Sequence, residues 1–252
     1  MRARRWAYAI VLGFAVCFLP APPGSACARE PQATNSATTP APRVSLRNRH
    51  EKFVEIARRG NIDILFLGDS ITDLWGGEGH LARSQGAKIF QRDWEPQKTA
   101  NFGIAGDQTQ HVLWRIQNGE LDGIHPKVVM LMIGTNNMGP NSAREIADGI
   151  TAIVKEIHKR SPDSKVLLLG IFPRGEKPAA VRDKIKEVNN IISRLDDGGA
   201  TIKYLDIGGQ FVQQDGTISR KIMYDFTHLT EKGYQMWADS IKGPINELMG
   251  KK

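Results

Sequence analysis

Cysteine is almost absent from this chain: of its 252 residues only Cys17 and Cys27 are cysteine, and both precede the region where folding patterns begin. A disulfide framework, a thiol nucleophile and a cysteine metal site are therefore excluded from the body of the protein. There is also no H-E-x-x-H pair, paired His cluster or calcium-loop pattern, so no metal or cofactor is implied. The run Gly76-Gly77-Glu78-Gly79 has no Walker lysine and follows no strand-like segment, which leaves it as a flexible loop.

Long apolar runs are equally scarce. The one present, residues 6–19, follows Arg2, Arg4 and Arg5 and gives way to Pro20, Pro22, Pro23 and small residues. It is too short to span a bilayer and reads as an export signal. Ala26-Cys27-Ala28 fits a small-x-small cleavage site, so residues 1–28 are expected to be a signal peptide and Arg29 the first mature residue. Both cysteines would leave with it. The alternative is a lipid anchor on Cys27, against which Gly24 stands where a larger aliphatic residue is usual. The expected location is secreted or periplasmic, with no stable membrane span after cleavage.

Charge of one sign is not concentrated anywhere. Lys and Arg number 34 against 27 acidic residues, a net +7, and loss of three signal arginines leaves +4. Basic residues alternate with acidic ones along helical faces, as in Lys155-Glu156, so nucleic acid is not an expected partner.

What is present is a regular alternation. Residues 29–43, rich in Pro, Ala, Ser and Thr, read as a flexible tether, and residues 44–252 as one folded domain. Strand-like apolar segments occupy residues 62–68, 99–102, 128–133, 165–171 and 201–206. Amphipathic helical patterns occupy residues 46–59, 108–118, 143–160, 181–195 and 231–249. This order predicts an α/β fold with a parallel sheet, right-handed crossovers and helices on both faces. Ligands of such sheets bind beyond the carboxyl ends of the strands, where strand order reverses.

The strand ends are polar or glycine-rich. The first leads into Gly68-Asp69-Ser70, the second into Gly103-Ile104-Ala105-Gly106, the third into Gly134-Thr135-Asn136-Asn137, and Asp225-x-x-His228 precedes the last helix. Together they meet the needs of acyl transfer. Ser70 is the candidate nucleophile, His228 its general base and Asp225 the group that orients the imidazole. The amides of Ser70 and Gly106 and the side chain of Asn136 are the candidate oxyanion hole. Taken singly, each has a plainer reading: Ser70 as a helix cap, Gly103 and Gly106 as turn residues, Asn136 as a loop cap, Asp225 and His228 as a satisfied polar pair. Their coincidence at one sheet edge favours the catalytic reading.

His50, His80, His111, His125 and His158 lack an acidic partner at useful spacing and read as surface or packing residues. Trp75, Trp94, Phe172 and Met223 suit either pocket walls or core, and Arg174 either an anionic or sugar group or plain surface. Thr72 stands where a G-x-S-x-G elbow needs its second glycine, which disfavours the α/β-hydrolase fold.

These blocks resemble those of the GDSL or SGNH hydrolases, named for the Ser, Gly, Asn and His that Ser70, Gly106, Asn136 and His228 match. The stretches 101–120, 173–178 and 225–234 are most similar to the platelet-activating-factor acetylhydrolase branch, and the likeness runs over residues 44–249. It implies a flavodoxin-like three-layer α/β/α sandwich with a five-stranded parallel sheet, the same site roles, and Gly106 in preference to Gly103. It also implies a serine esterase acting on acetyl or other short acyl esters without a cofactor, and a homodimer as one assembly. That branch is cytosolic in eukaryotes while this N-terminus reads as exported, so an acetylated sugar stands beside a phospholipid as the expected substrate. The alternatives are a lysophospholipase or thioesterase, and a non-catalytic carbohydrate-binding module on the same scaffold.

Overall fold

The computed structural model describes residues 34–80 and 84–251. The expected signal peptide, its cleavage site and Cys27 lie outside the described residues. Five strands, β1 (Ile64–Gly68), β2 (Thr99–Gly103), β3 (Val128–Met132), β4 (Lys165–Leu169) and β5 (Ile202–Leu205), form one parallel sheet in the order β2-β1-β3-β4-β5. The chain runs from β1 outward to β2, then crosses back to β3 on the other side of β1. Strand order therefore reverses at β1, which opens a crevice at its carboxyl end. Gly68 pairs in register with Gly103 on one side and Met132 on the other, so the loops after β1, β2 and β3 leave the sheet at the same level.

β1 is buried along its whole length, and its alternation divides the core. Leu65 and Leu67 face a layer built from α1 (Arg47–Arg59), α4 (Thr109–Arg115), α5 (Ala143–Arg160) and α6 (Ala180–Ile192), with Phe53, Val112, Ile150 and Ile185 in contact. Ile64 and Phe66 face the other layer, built from α3 (Ala87–Asp93) and α7 (Glu231–Leu248) around Trp75, Trp94 and Trp237. Covering both faces is what lets β1 and β3 be continuous apolar runs. Trp75, Trp94, Phe172 and Met223 are all at most 1% exposed, so they are core and not pocket walls.

Two differences from the sequence reading stand out. The pattern over residues 108–118 ends early, because Asn118 and Gly119 leave helical geometry in the widened turn Ile116–Glu120. The other concerns the tether. Its described part, residues 34–43, is docked. Asn35 caps a short turn, Ser36–Thr38, whose Ala37 is fully buried. Thr109 Oγ1 donates to the Ala37 carbonyl at 2.9 Å, Asn141 Nδ2 to Ser36 Oγ at 2.8 Å, and the Ala41 amide to the Gln110 carbonyl at 3.2 Å. Gly149 on α5 makes room, since a Cβ there would stand 2.7 Å from the Ala37 carbonyl. Polar contacts and one small side chain hold this arm, and composition does not reveal such contacts.

Candidate active site

Ser70 opens α2 (Ser70–Asp73), a single turn that follows β1 directly. Asp69 caps it, its Oδ1 accepting the Ile71 amide at 3.0 Å. The turn packs so closely over the sheet that a Cβ on Gly68 would meet Thr72 Oγ1 at 2.1 Å. At its far side Tyr234, on α7, donates its hydroxyl to the Ile71 carbonyl at 2.7 Å, which ties the last helix to the turn.

Ser70 Oγ lies 2.8 Å from His228 Nε2, and His228 Nδ1 lies 2.7 Å from Asp225 Oδ2. The other Asp225 oxygen accepts the amides of Thr227 and His228 at 3.0 and 2.7 Å. Partial burial pushes the Asp225 carboxyl up, but bonds from the His228 ring and from these amides outweigh it and hold the group below the ordinary carboxylate value. An ionised acceptor on Nδ1 directs the Nε2 lone pair at the hydroxyl. This is the geometry by which a serine proton can be removed.

Gly106 sits in a turn closed by the Asp107 amide on the Ile104 carbonyl at 3.1 Å, and its φ of +78° is the left-handed region that favours glycine. Asn136 Nδ2 donates to the Asp107 carbonyl at 2.8 Å, while the Asn136 backbone carbonyl accepts from Gln108 Nε2 at the same distance. A carboxamide has two N–H groups, so this bond fixes Asn136 and leaves a second donor. Asn137 points the other way, into the fold, where its Oδ1 accepts the Thr109 amide at 3.0 Å. The structure thus brings Ser70, His228 and Asp225 together, and sets Gly106 and Asn136 on the neighbouring strand ends, joined through Asp107.

The reading of the histidines needs correction. The His80 side chain is fully buried, with Nδ1 2.6 Å from Asp73 Oδ1 and Nε2 2.8 Å from the Asn101 carbonyl. His50 Nδ1 lies 3.0 Å from buried Glu120, and His111 Nδ1 accepts the Gln108 amide at 3.0 Å. Acidic partners distant in sequence became neighbours through folding. Asp73 also pairs with Arg49 at 2.7 Å and accepts the Ala105 amide at 3.0 Å, so it links the serine turn to the Gly106 turn. Burial pushes this carboxyl up, yet His80, Arg49 and the Ala105 amide hold it below its usual value.

Asp107 and Asp73 escaped the sequence reading although each had a local signal: one follows Gly106 directly and the other lies one turn after Ser70. Asp107 is 1% exposed and paired with Arg43 at 3.1 Å and Arg115 at 2.8 Å. Burial works against the Arg115 charge, but Glu120 and Asp107 outweigh it and keep the guanidinium charged. Arg174 donates weakly to the Thr135 carbonyl at 3.3 Å, behind Asn136. Among the described residues no group of three His, Cys, Asp or Glu side chains could hold a metal ion, and no helix is long and apolar enough to cross a membrane.

Comparison with known proteins identifies the family and the fold. The model of the GDSL-like Lipase/Acylhydrolase family matches residues 66–236. Platelet-activating factor acetylhydrolase IB subunit alpha2 of Rattus norvegicus is 42% identical over 202 residues, covering 80% of this chain and 82% of that one. Among solved structures, one named as a platelet activating factor from Streptococcus pneumonia superimposes with a TM-score of 0.64 at 24% identity, over 80% of this chain and 94% of its own. Est24, a carbohydrate acetylesterase from Sinorhizobium meliloti, does so with a TM-score of 0.55 at 19% identity, over 74% and 99%. The overall fold is shared with both. The chain belongs to the GDSL-like lipase/acylhydrolase family and is a carboxylic ester hydrolase.

Proposed function

We propose that the chain is an exported serine esterase that removes acetyl or other short acyl groups through an acyl-enzyme. The observation that carries this reading is the chain of contacts from Ser70 Oγ through His228 to Asp225, at 2.8 and 2.7 Å. His228 takes the Ser70 proton as Oγ attacks the ester carbonyl, and the Asp225 carboxylate stabilises the imidazolium that forms. Negative charge then develops on the carbonyl oxygen. The amides of Ser70 and Gly106 and the free N–H of Asn136 receive it, each such donor being worth about 10²- to 10³-fold in rate. His228 next protonates the departing alcohol, and a water activated by the same imidazole releases the acid.

Acetyl esters are favoured by the similarity to proteins named as an acetylhydrolase and a carbohydrate acetylesterase. Export, argued from residues 1–28, makes an acetylated sugar the first substrate to try and an acetylated phospholipid the second. The test is hydrolysis of p-nitrophenyl esters from acetate to octanoate, with Ser70→Ala alongside. Acetate should be the best substrate, and the variant should lose on the order of 10⁴-fold or more in kcat. Activity retained by Ser70→Ala would refute the mechanism, and a maximum at octanoate would refute the short-acyl preference. Acetylated xylan and an acetylated ether phospholipid then separate the two alcohols.

A further inference from the structure

The Gly106 amide is half of a peptide unit whose other half is the Ala105 carbonyl. A trans peptide is planar, so the carbonyl and the following N–H point in opposite directions and turn together. In a turn with a left-handed third residue this central peptide is the one that flips: rotated by about 180°, the same four residues form the commoner turn type with the N–H reversed. Both Ala105 and Gly106 are exposed, so packing does not choose between the two orientations.

A single side chain reaches that carbonyl from the docked arm. Arg43 Nη1 donates to the Ala105 carbonyl at 2.5 Å and to Asp107 Oδ1 at 3.1 Å, bracketing Gly106 from both sides. The guanidinium lies so close to the Gly106 Cα that a Cβ there would meet Nη1 and Nη2 at 3.2 Å. Asp107 is in turn fixed by Arg115, so the clamp is anchored in the core. Opposite, Asp73 Oδ2 holds the Ala105 amide at 3.0 Å.

We infer that Arg43 is a positioning residue for the oxyanion hole: by holding the Ala105 carbonyl on the arm side, it keeps the Gly106 N–H turned toward the crevice beside Ser70. A cationic donor on the carbonyl also polarises the peptide, which strengthens the N–H at its other end. The arm from Asn35 to Arg43 is then part of the catalytic apparatus and not a spacer. The inference rests on the serine esterase reading, in which Gly106 receives the oxyanion.

The test compares the wild type with Arg43→Ala, Arg43→Met, Arg43→Lys and Ser70→Ala on p-nitrophenyl acetate. Arg43→Ala should lower kcat about 10-fold with KM within about two-fold, since a misdirected donor weakens the transition state more than the ground state. Inhibition by phenylboronic acid, which forms a tetrahedral adduct on a serine, should weaken by a similar factor. Arg43→Lys should recover part of the loss, and free guanidinium should restore part of it to Arg43→Ala. Arg43→Met keeps the aliphatic stem and carries the same expectation if the alanine variant does not fold. A kcat within two-fold of wild type in folded Arg43→Ala or Arg43→Met, with Ser70→Ala inactive, would overturn the inference and leave the esterase reading intact. Activity in Ser70→Ala would overturn the reading beneath it.

Discussion

Replacing Asp69 by Asn should change how the stability of this protein depends on pH. Asp69 is fully buried, with Oδ1 on the Ile71 amide and, among the described residues, no partner for Oδ2. Loss of hydration pushes its carboxyl up, the Ile71 bond offsets part of that, and the nearby charges of Asp107 and Asp73 add to it, giving a pKa of about 7. The unfolded chain ionises near 3.8, so between pH 4 and 7 the folded state carries a proton that the unfolded state has lost. Stability from this group is therefore complete below pH 4 and drains away as pH rises to 7. At about 1.4 kcal/mol per pH unit the full change is roughly 4 kcal/mol. Asn keeps an oxygen for Ile71 and cannot ionise. Urea unfolding of both proteins at intervals from pH 4 to 8 should show Asn gaining on Asp by about 4 kcal/mol up to pH 7 and a constant gap above it. A gap that does not move with pH, or that moves toward Asp, would refute the argument that this carboxyl is held neutral by burial.

Three further outcomes are expected. Asn136→Ala should lower kcat on p-nitrophenyl acetate by about 10²- to 10³-fold with little change in KM, measured by steady-state kinetics. Because its carboxyl is held below the ordinary carboxylate value, Asp225 carries its charge at pH 7, and Asp225→Asn should lower kcat on p-nitrophenyl acetate there by about 10⁴-fold, measured by steady-state kinetics. Trp237→Ala removes a fully buried indole that packs on Trp75 and Phe172 at 5.0 Å between ring centres, and should cost about 3–5 kcal/mol in urea unfolding.

The parts of this protein legible from sequence are those encoded locally. β1 and β3 are buried on both faces, which writes them as unbroken apolar runs, and α5 carries its own Ser142–Glu145 capping box. Ser70, Gly106, Asn136 and the Asp225–His228 pair each stand beside a strand end or helix start that marks them. α3, only seven residues long and without a side-chain cap, offered no such mark and was missed. Arg43, lying 64 residues from Asp107, could be given a role only by folding. So could His80: its partner Asp73 is seven residues away, a spacing that no helix or strand turns into a contact.

The order in which the chain is made bears on when its chemistry begins. Ser70, Gly106 and Asn136 each follow one of the first three strands, whereas Asp225 and His228 come just before α7, whose Tyr234 hydroxyl reaches back to the Ile71 carbonyl at 2.7 Å. In the proposed mechanism, a growing polypeptide that has not reached His228 has the serine without its base. Under the proposed mechanism, hydrolytic competence is thus the last property the molecule acquires, and a chain that ends before His228 is catalytically silent.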